Sequence, residues 1–219
     1  RSGLILTAMV GVLAGLGWLF GGATGVLWSV AFAVVLAALL PSPSPARWLR
    51  ASGARPLHRF ELFDLQRAVA TLARDAGLER APTIYLVPIP GPQAFAAESG
   101  DERAIGVSPS LLRLLTPREV VAVIAHELSH LRHRDLWVMR LAETVRRLTS
   151  SMSTVGWVLL LLSVPFLLVG EVTLPWLPIL ALAIAPRLVA MLSLALSRSR
   201  ELDADVGAVA LTGDPMGLA

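Results

Sequence analysis

The chain has no cysteine in 219 residues. That excludes disulfides and thiolate zinc sites and leaves the redox compartment open. Lysine is also missing: all 19 basic residues are Arg, which explains a sequence pI near 10.8 beside a formal charge of only +3. We read the Arg bias as genome-level codon usage. Basic clusters with interleaved aromatics are absent and Arg is spread over the polar segments, so nucleic acid is not an expected partner. Charge is scarce at 16%, against 55% hydrophobic residues. This is the balance of a membrane protein. The chain starts at Arg1 without Met and stops at Ala219 soon after a helix stop signal, so we expect it to be a piece of a longer protein.

Between Gly3 and Leu40 no residue is charged. Thirty-eight such positions exceed a signal-peptide core and predict two spans. Gly21-Gly22 offers a turn, leaving arms of roughly 26 Å each at helical rise. One long tilted helix with an interfacial piece is the alternative. Pro41-Ser-Pro-Ser-Pro45 then reads as a stiff linker. A second apolar block runs from Thr154 to Ser197, with Thr154 to Gly170 and Leu174 to Ser197 as candidate spans around the turn Glu171-Val-Thr. Trp157 and Trp176 suit the interfaces. Arg187, after Pro186 in the last apolar run, is expected to face the protein interior or to snorkel. Fifteen Arg lie between Leu40 and Ser150, Arg198 and Arg200 follow the last span, and the two short opposite loops have none. The positive-inside rule therefore puts the polar segments in the cytoplasm.

The polar stretch between the blocks carries soluble-domain patterns. Phe60 to Leu78 has helical periodicity and Gly77 as its stop. Thr83 to Val87 and Arg103 to Val107 read as strands, separated by the Pro-rich loop Pro88 to Pro92 and the segment Gln93 to Ala97. A small sheet follows, whose edge can hold an extended peptide by backbone hydrogen bonds. Ser108-Pro109 starts a short helix, and Thr116-Pro117-Arg118-Glu119 starts another, with Thr116 as N-cap and Glu119 closing a capping box.

About two turns into that last helix comes His126-Glu-Leu-Ser-His130. Residues i and i+4 share a helix face, so both imidazoles can point at one metal ion while Glu127 sits beside it. Zinc lowers the pKa of water it holds, and a carboxylate in reach can take the proton and deliver it to a leaving amine. This is the chemistry of peptide hydrolysis. Chance alone predicts only about 0.003 such matches in a chain of this composition. Glu201 lies 71 residues beyond His130, within Ser197-Arg-Ser-Arg-Glu-Leu-Asp-Ala-Asp205, in a helix-permissive stretch that ends near Gly213-Asp214-Pro215. Two His and one Glu form a known zinc set, which makes Glu201 the candidate third ligand. Asp205, one turn on, is placed to hydrogen-bond the distal nitrogen of a ligand His. Other residues get plainer readings. His133 lies two turns from His126, too far to share the ion, and reads as solvated. His58 is read as a surface residue, Tyr85 as strand packing, and Asp135 as a helix-end residue.

The joint order of these motifs resembles the HtpX-type membrane zinc endopeptidases, distant relatives of the CAAX prenyl proteases. It runs from two N-terminal spans through Pro92-Gln-Ala-Phe-Ala-Ala97, Leu111-Leu112, His126 to His130 with Asp135, two more spans, and Ser197-Arg198-x-Arg200-Glu201-x-x-Ala204-Asp205. The resemblance implies a bacterial inner-membrane enzyme with a cytoplasmic active site that cleaves damaged or misassembled membrane proteins in stress-linked quality control. His126, His130 and Glu201 would hold one Zn2+ per chain and Glu127 would be the base. The family commonly has Asn at the position of Gln93.

The expected fold is an α-helical membrane protein with a small α+β zincin-like catalytic domain and about four transmembrane helices. Its segments are a transmembrane hairpin (3–40), a linker (41–59), a catalytic domain (60–150), a second transmembrane hairpin (154–197) and a helix carrying the third ligand (198–219). Expected partners are protein or peptide substrates and the lipid bilayer. The alternatives are a catalytically silent membrane scaffold binding client proteins and a transport or channel component, which four spans can build.

Overall fold

The computed structural model describes residues 2–39, 44–58, 61–133, 135–169 and 176–217. In chain order the elements are α1 (Ser2–Leu39), α2 (Pro45–Ala51), β1 (Arg55–Pro56), α3 (Phe63–Asp75), β2 (Thr83–Leu86), β3 (Ala94–Ser99), β4 (Glu102–Val107), α4 (Pro109–Leu114), α5 (Pro117–His133), α6 (Asp135–Val169) and α7 (Trp176–Thr212). They form two compact units, one from Arg1–Leu40 with Val138–Ser199 and the other from Pro41–Trp137 with Arg200–Ala219. The expected turn at Glu171 and the side chains of Asp135 and Trp176 lie outside the described residues.

The first unit is helical. α1 leaves helical geometry at Gly21 and Gly22, where Gly22 has φ of 57°. An unbroken helix would separate residues 17 and 25 by about 12 Å. Instead a methyl on Gly17 would fall 2.5 Å from the Gly25 carbonyl oxygen, so the chain reverses and the arms touch through glycine. Met9, Leu13 and Ala33 of α1 are buried with Ala142 and Val145 of α6 and with Val189 and Leu196 of α7. Outward faces are apolar too: Leu4, Trp28, Leu161 and Leu194 are all highly exposed. Such a surface is not a water-facing one. Among the described residues, Ser2–Leu36, which the reversal divides into two arms, and Pro178–Thr212 have the length and apolar composition of membrane-crossing segments. Arg187 is on the exposed side of α7. An inward orientation, one of its two expected settings, is therefore not met, because Leu182, Ala185 and Val189 already fill the packed side.

The second unit is built on a four-stranded mixed sheet of order β1-β2-β4-β3. β2 runs parallel to β4, while β3 and β1 are antiparallel edge strands. The two strands expected from Thr83 and Arg103 are present within a residue of their ends. The segment from Gln93, read only as a connection, is mostly strand β3. Its Ala-Phe-Ala-Ala core is poor in β-branched residues, which hides the strand. Ser99 pairs with Glu102, so the Gly100-Asp101 pair forms a two-residue hairpin loop with φ of 58° at Gly100.

Alternation along the strands gives the sheet two buried faces. Ile84, Ile105 and Val107 pack with Val69 and Leu72 of α3 and with Val120, Ile124 and Leu128 of α5. On the other face Tyr85, Val87 and Ala104 pack under Leu49 of α2. Tyr85 is thus strand packing, as its sequence context suggests. Phe95 lies opposite Gly106 in the register and edge-on to Trp48, with ring centroids 5.7 Å apart. Gly106 makes room for the ring, since a Cβ there would sit 2.5 Å from it.

Ser108 secures the turn into α4. Fully buried, it accepts hydrogen bonds from the Leu111 and Gln93 N–H groups (3.1 and 3.0 Å) and donates to the Gly91 carbonyl at 2.8 Å. The Gln93 side chain donates to the Pro90 carbonyl at 3.0 Å, so its amide holds the loop before β3. We expect Gly106→Ala to destabilise the protein by about 1–3 kcal/mol through overpacking against Phe95. A thermal melt measures it, and an unchanged Tm would mean the ring yields freely.

Candidate metal and catalytic centre

α5 is set by its first turn. The Thr116 N–H donates to the Glu119 carboxylate at 2.6 Å and the Glu119 N–H returns to Thr116 Oγ1 at 3.4 Å, so the capping box forms with Pro117 at the first helical position. Burial of Val120, Ile124, Leu128 and Leu131 then fixes the helix's rotation against the sheet. That rotation leaves His126 and His130 together on a half-buried face, one turn apart, with ring centroids 4.9 Å apart and nearly perpendicular planes.

α7 brings the carboxylates. It runs through Pro186 without ending and stops at Thr212, where Gly213 adopts φ of 66°. The stretch bearing Glu201 therefore belongs to the same helix as the last apolar run. Glu201 Oε2 lies 3.3 Å from His126 Nε2 and 3.9 Å from His130 Nε2. Asp205, one turn on, accepts from His126 Nδ1 at 2.8 Å. That bond fixes the His126 tautomer with its Nε2 lone pair directed toward Glu201. The far end of α7 is clasped to the start of α5, because Arg118 makes a two-pronged ion pair with Asp214, one arm at 2.6 Å. The guanidinium holds the Asp214 carboxyl below its ordinary pKa. A depressed pKa means that this clasp holds above the usual carboxylate range and weakens as pH falls through the lowered value.

The three ligand atoms of His126, His130 and Glu201 lie within 4.8 Å of one another, the only such group of His and acidic residues among those described. Tetrahedral zinc with ligands at about 2.0–2.1 Å sets them roughly 3.4 Å apart. The observed 3.3 and 3.9 Å bracket that separation, so the donor set fits the ion. Over half of each carboxylate side chain is exposed, 55% for Glu201 and 53% for Asp205, against 16% and 14% for the histidines. The centre is therefore covered on its α5 side and open at the carboxylates.

Glu127 lies next to the first imidazole and is half-buried. Burial pushes its carboxyl above the ordinary value, opposed by the nearby His130 and His126 and by a hydrogen bond from the Ala96 N–H. That last contact, from edge strand β3, escaped sequence reading; the Gly100-Asp101 loop is the signal that would have placed the strand. His133 is outside the cluster, exposed, with its Nδ1 donating to the Ser129 carbonyl at 2.9 Å. His58 is exposed as well.

The model of peptidase family M48 matches residues 61–218. Among similar proteins, a Protease HtpX homolog of Acidiphilium cryptum is 33% identical over 224 residues, covering 100% of this chain and 75% of the relative. One from Thermococcus sibiricus is 32% identical over 238 residues, covering 100% and 76%. Protease HtpX of Legionella pneumophila is 30% identical over 226 residues, covering 100% and 77%. No solved structure matches.

The geometry ranks the carboxylates. Glu201→Gln should weaken zinc binding far more than Asp205→Asn, for which about a 10–100-fold loss is expected from removing a hydrogen bond behind a ligand. Zinc titrated against a competing chelator reads both, and equal affinity of the Glu201 variant and the parent would move the third ligand elsewhere.

Proposed function

The chain belongs to peptidase family M48, in its HtpX-type branch, and from that premise we propose a membrane-embedded zinc endopeptidase that cuts misfolded or damaged membrane proteins on the cytoplasmic side. The observation that carries the reading is the convergence of His126, His130 and Glu201, with Glu127 beside them. Zinc bound to these three residues supplies Lewis acidity, acidifying water and polarising a scissile carbonyl.

The chain's own groups do the rest. Glu127 accepts the proton of the attacking water and passes it to the leaving amide nitrogen, and its burial makes it a stronger base than an exposed carboxylate. Asp205 holds the His126 ring in orientation. β3 positions the substrate. The two-residue loop that pairs Ser99 with Glu102 makes Ala94, Ala96 and Glu98 the residues whose backbone groups point to the free edge of β3, beside Glu127. An extended peptide added there meets the base at its backbone, with little demand on side-chain identity. That suits substrates recognised by loss of structure.

For membrane topology we propose four spans: the two arms of α1, the apolar half of α6, and α7 up to about Ser197. The reversal at Gly21-Gly22 supports the first pair, and the Arg distribution supports a cytoplasmic centre. A chain without cysteine suits single-cysteine labelling. Labels at Gly22 should react only from the periplasm and at Arg103 only from the cytoplasm; the inverse pattern would reject this orientation.

Glu127→Gln should keep zinc and lose about 10²–10⁴-fold in hydrolysis of a loosely folded membrane protein in detergent. Retained turnover with full zinc would reject Glu127 as the base. A parent chain that binds such a protein and zinc without cutting it would instead be a scaffold.

A further inference from the structure

We infer that Gly207 is a positioning residue, whose missing side chain lets α7 come close enough to α5 for Glu201 and Asp205 to reach the histidine pair; the inference rests on the metal-site reading above. Glycine is unfavourable inside a helix, so its place here calls for a reason. Backbone conformation is not that reason, since Gly207 lies within α7 and outside the positive-φ glycines. The reason is space. A Cβ built on Gly207 would lie 2.1 Å from Ser129 Oγ and 2.9 Å from Ser129 Cβ.

Ser129 is 1% exposed and stands on α5 immediately before His130 and three residues after His126. Turning its hydroxyl away would relieve the first contact. It would not relieve the second, because both Cβ positions are fixed by backbone. Carbon atoms pack at about 3.5–4.0 Å, so relief requires the two helices to part by roughly half an ångström or more. Two neighbours on this surface of α7 are also small, Ala204 and Ala208, both fully buried. Gly207 is two residues past Asp205, about 3 Å along the axis, so a shift there is carried to Asp205 and on to Glu201. Metal-ligand distances hold to within about 0.2 Å. A displacement tolerable for packing therefore exceeds what the ligand set accepts.

The test titrates zinc against a competing chelator on the full chain in detergent, well below each variant's melting temperature, with metal-free thermal melts run in parallel. Gly207→Ala should bind zinc about 10–100-fold more weakly while remaining folded, the range seen for groups that orient metal ligands. Adding Ser129→Ala should restore affinity only in part, because its Cβ remains. Adding Ser129→Gly should return it to near the parent value, because both clashing atoms are gone. Ser129→Thr, which crowds the same contact from α5, should weaken zinc in the same direction and serves if Gly207→Ala fails to fold. Parental affinity in folded Gly207→Ala, or in folded Ser129→Thr should that be the variant available, would overturn the inference. So would a loss in Gly207→Ala that Ser129→Gly does not relieve. A parent chain that takes up no zinc would remove the metal-site reading itself.

Discussion

The candidate metal site depends on two helices far apart in sequence bringing His126, His130 and Glu201 to within a few ångströms of one another, and most of the second unit serves that meeting. Neither helix can do it alone. α5 can present two imidazoles because i and i+4 share a face, but further ligands along it recede by a turn each time, as His133 shows. A third donor must come from another rod whose rotation and height are both fixed. The rotation of α7 is set by fully buried Ala208, which packs in the same cluster as Ile124, Leu128 and Leu131 of α5. Its height is set at the end by the Arg118 pair with Asp214. Both contacts are made by residues that take no part in the chemistry.

The electrostatic character of the centre follows from the same packing. α5 is held against a buried sheet face, so the Glu127 side chain beside it loses water and its carboxyl becomes harder to ionise. α7 lies with Glu201 and Asp205 toward solvent, and their side chains stay more than half exposed. Three carboxylates close to the same imidazole thus experience different surroundings. Burial raises the proton affinity of Glu127, while of the exposed pair Glu201 faces the imidazole Nε2 atoms and Asp205 accepts from an imidazole N–H. Division of labour among like side chains needs no difference in residue type, only a difference in which helix bears them.

How much of this was legible in the sequence depended on how local the signal was. The α5 cap, the face shared by His126 and His130, the stop at Gly77 and the stop at Gly213 all depend on residues within a turn or two, and each stands where sequence placed it. Non-local features were harder. β3 was missed because Ala96 and Ala97 lack the branched side chains that mark strands, and pairing with β4 supplies what propensity does not. The pairing of Asp205 with His126 depends on the helix-to-helix offset, which no spacing encodes. Gly207 was silent for the same reason: inside a helix a glycine reads only as a cost until its neighbour across the contact is known.

β3 ties the sheet to the chemistry. It owes its position to Phe95 lying across Gly106 and against Trp48, a contact on the face away from α5. Its Ala96 N–H, by contrast, reaches the Glu127 carboxylate. One strand therefore fixes the carboxylate through its backbone and is itself fixed through side chains on its other face. A substrate strand added at that edge would take its register from the backbone groups next to Ala96, so the distance from scissile bond to carboxylate would be inherited from sheet geometry. Selectivity would then fall on the substrate's ability to become extended, and side-chain preference would be weak because Ala94, Ala96 and Ala97 offer little to grip.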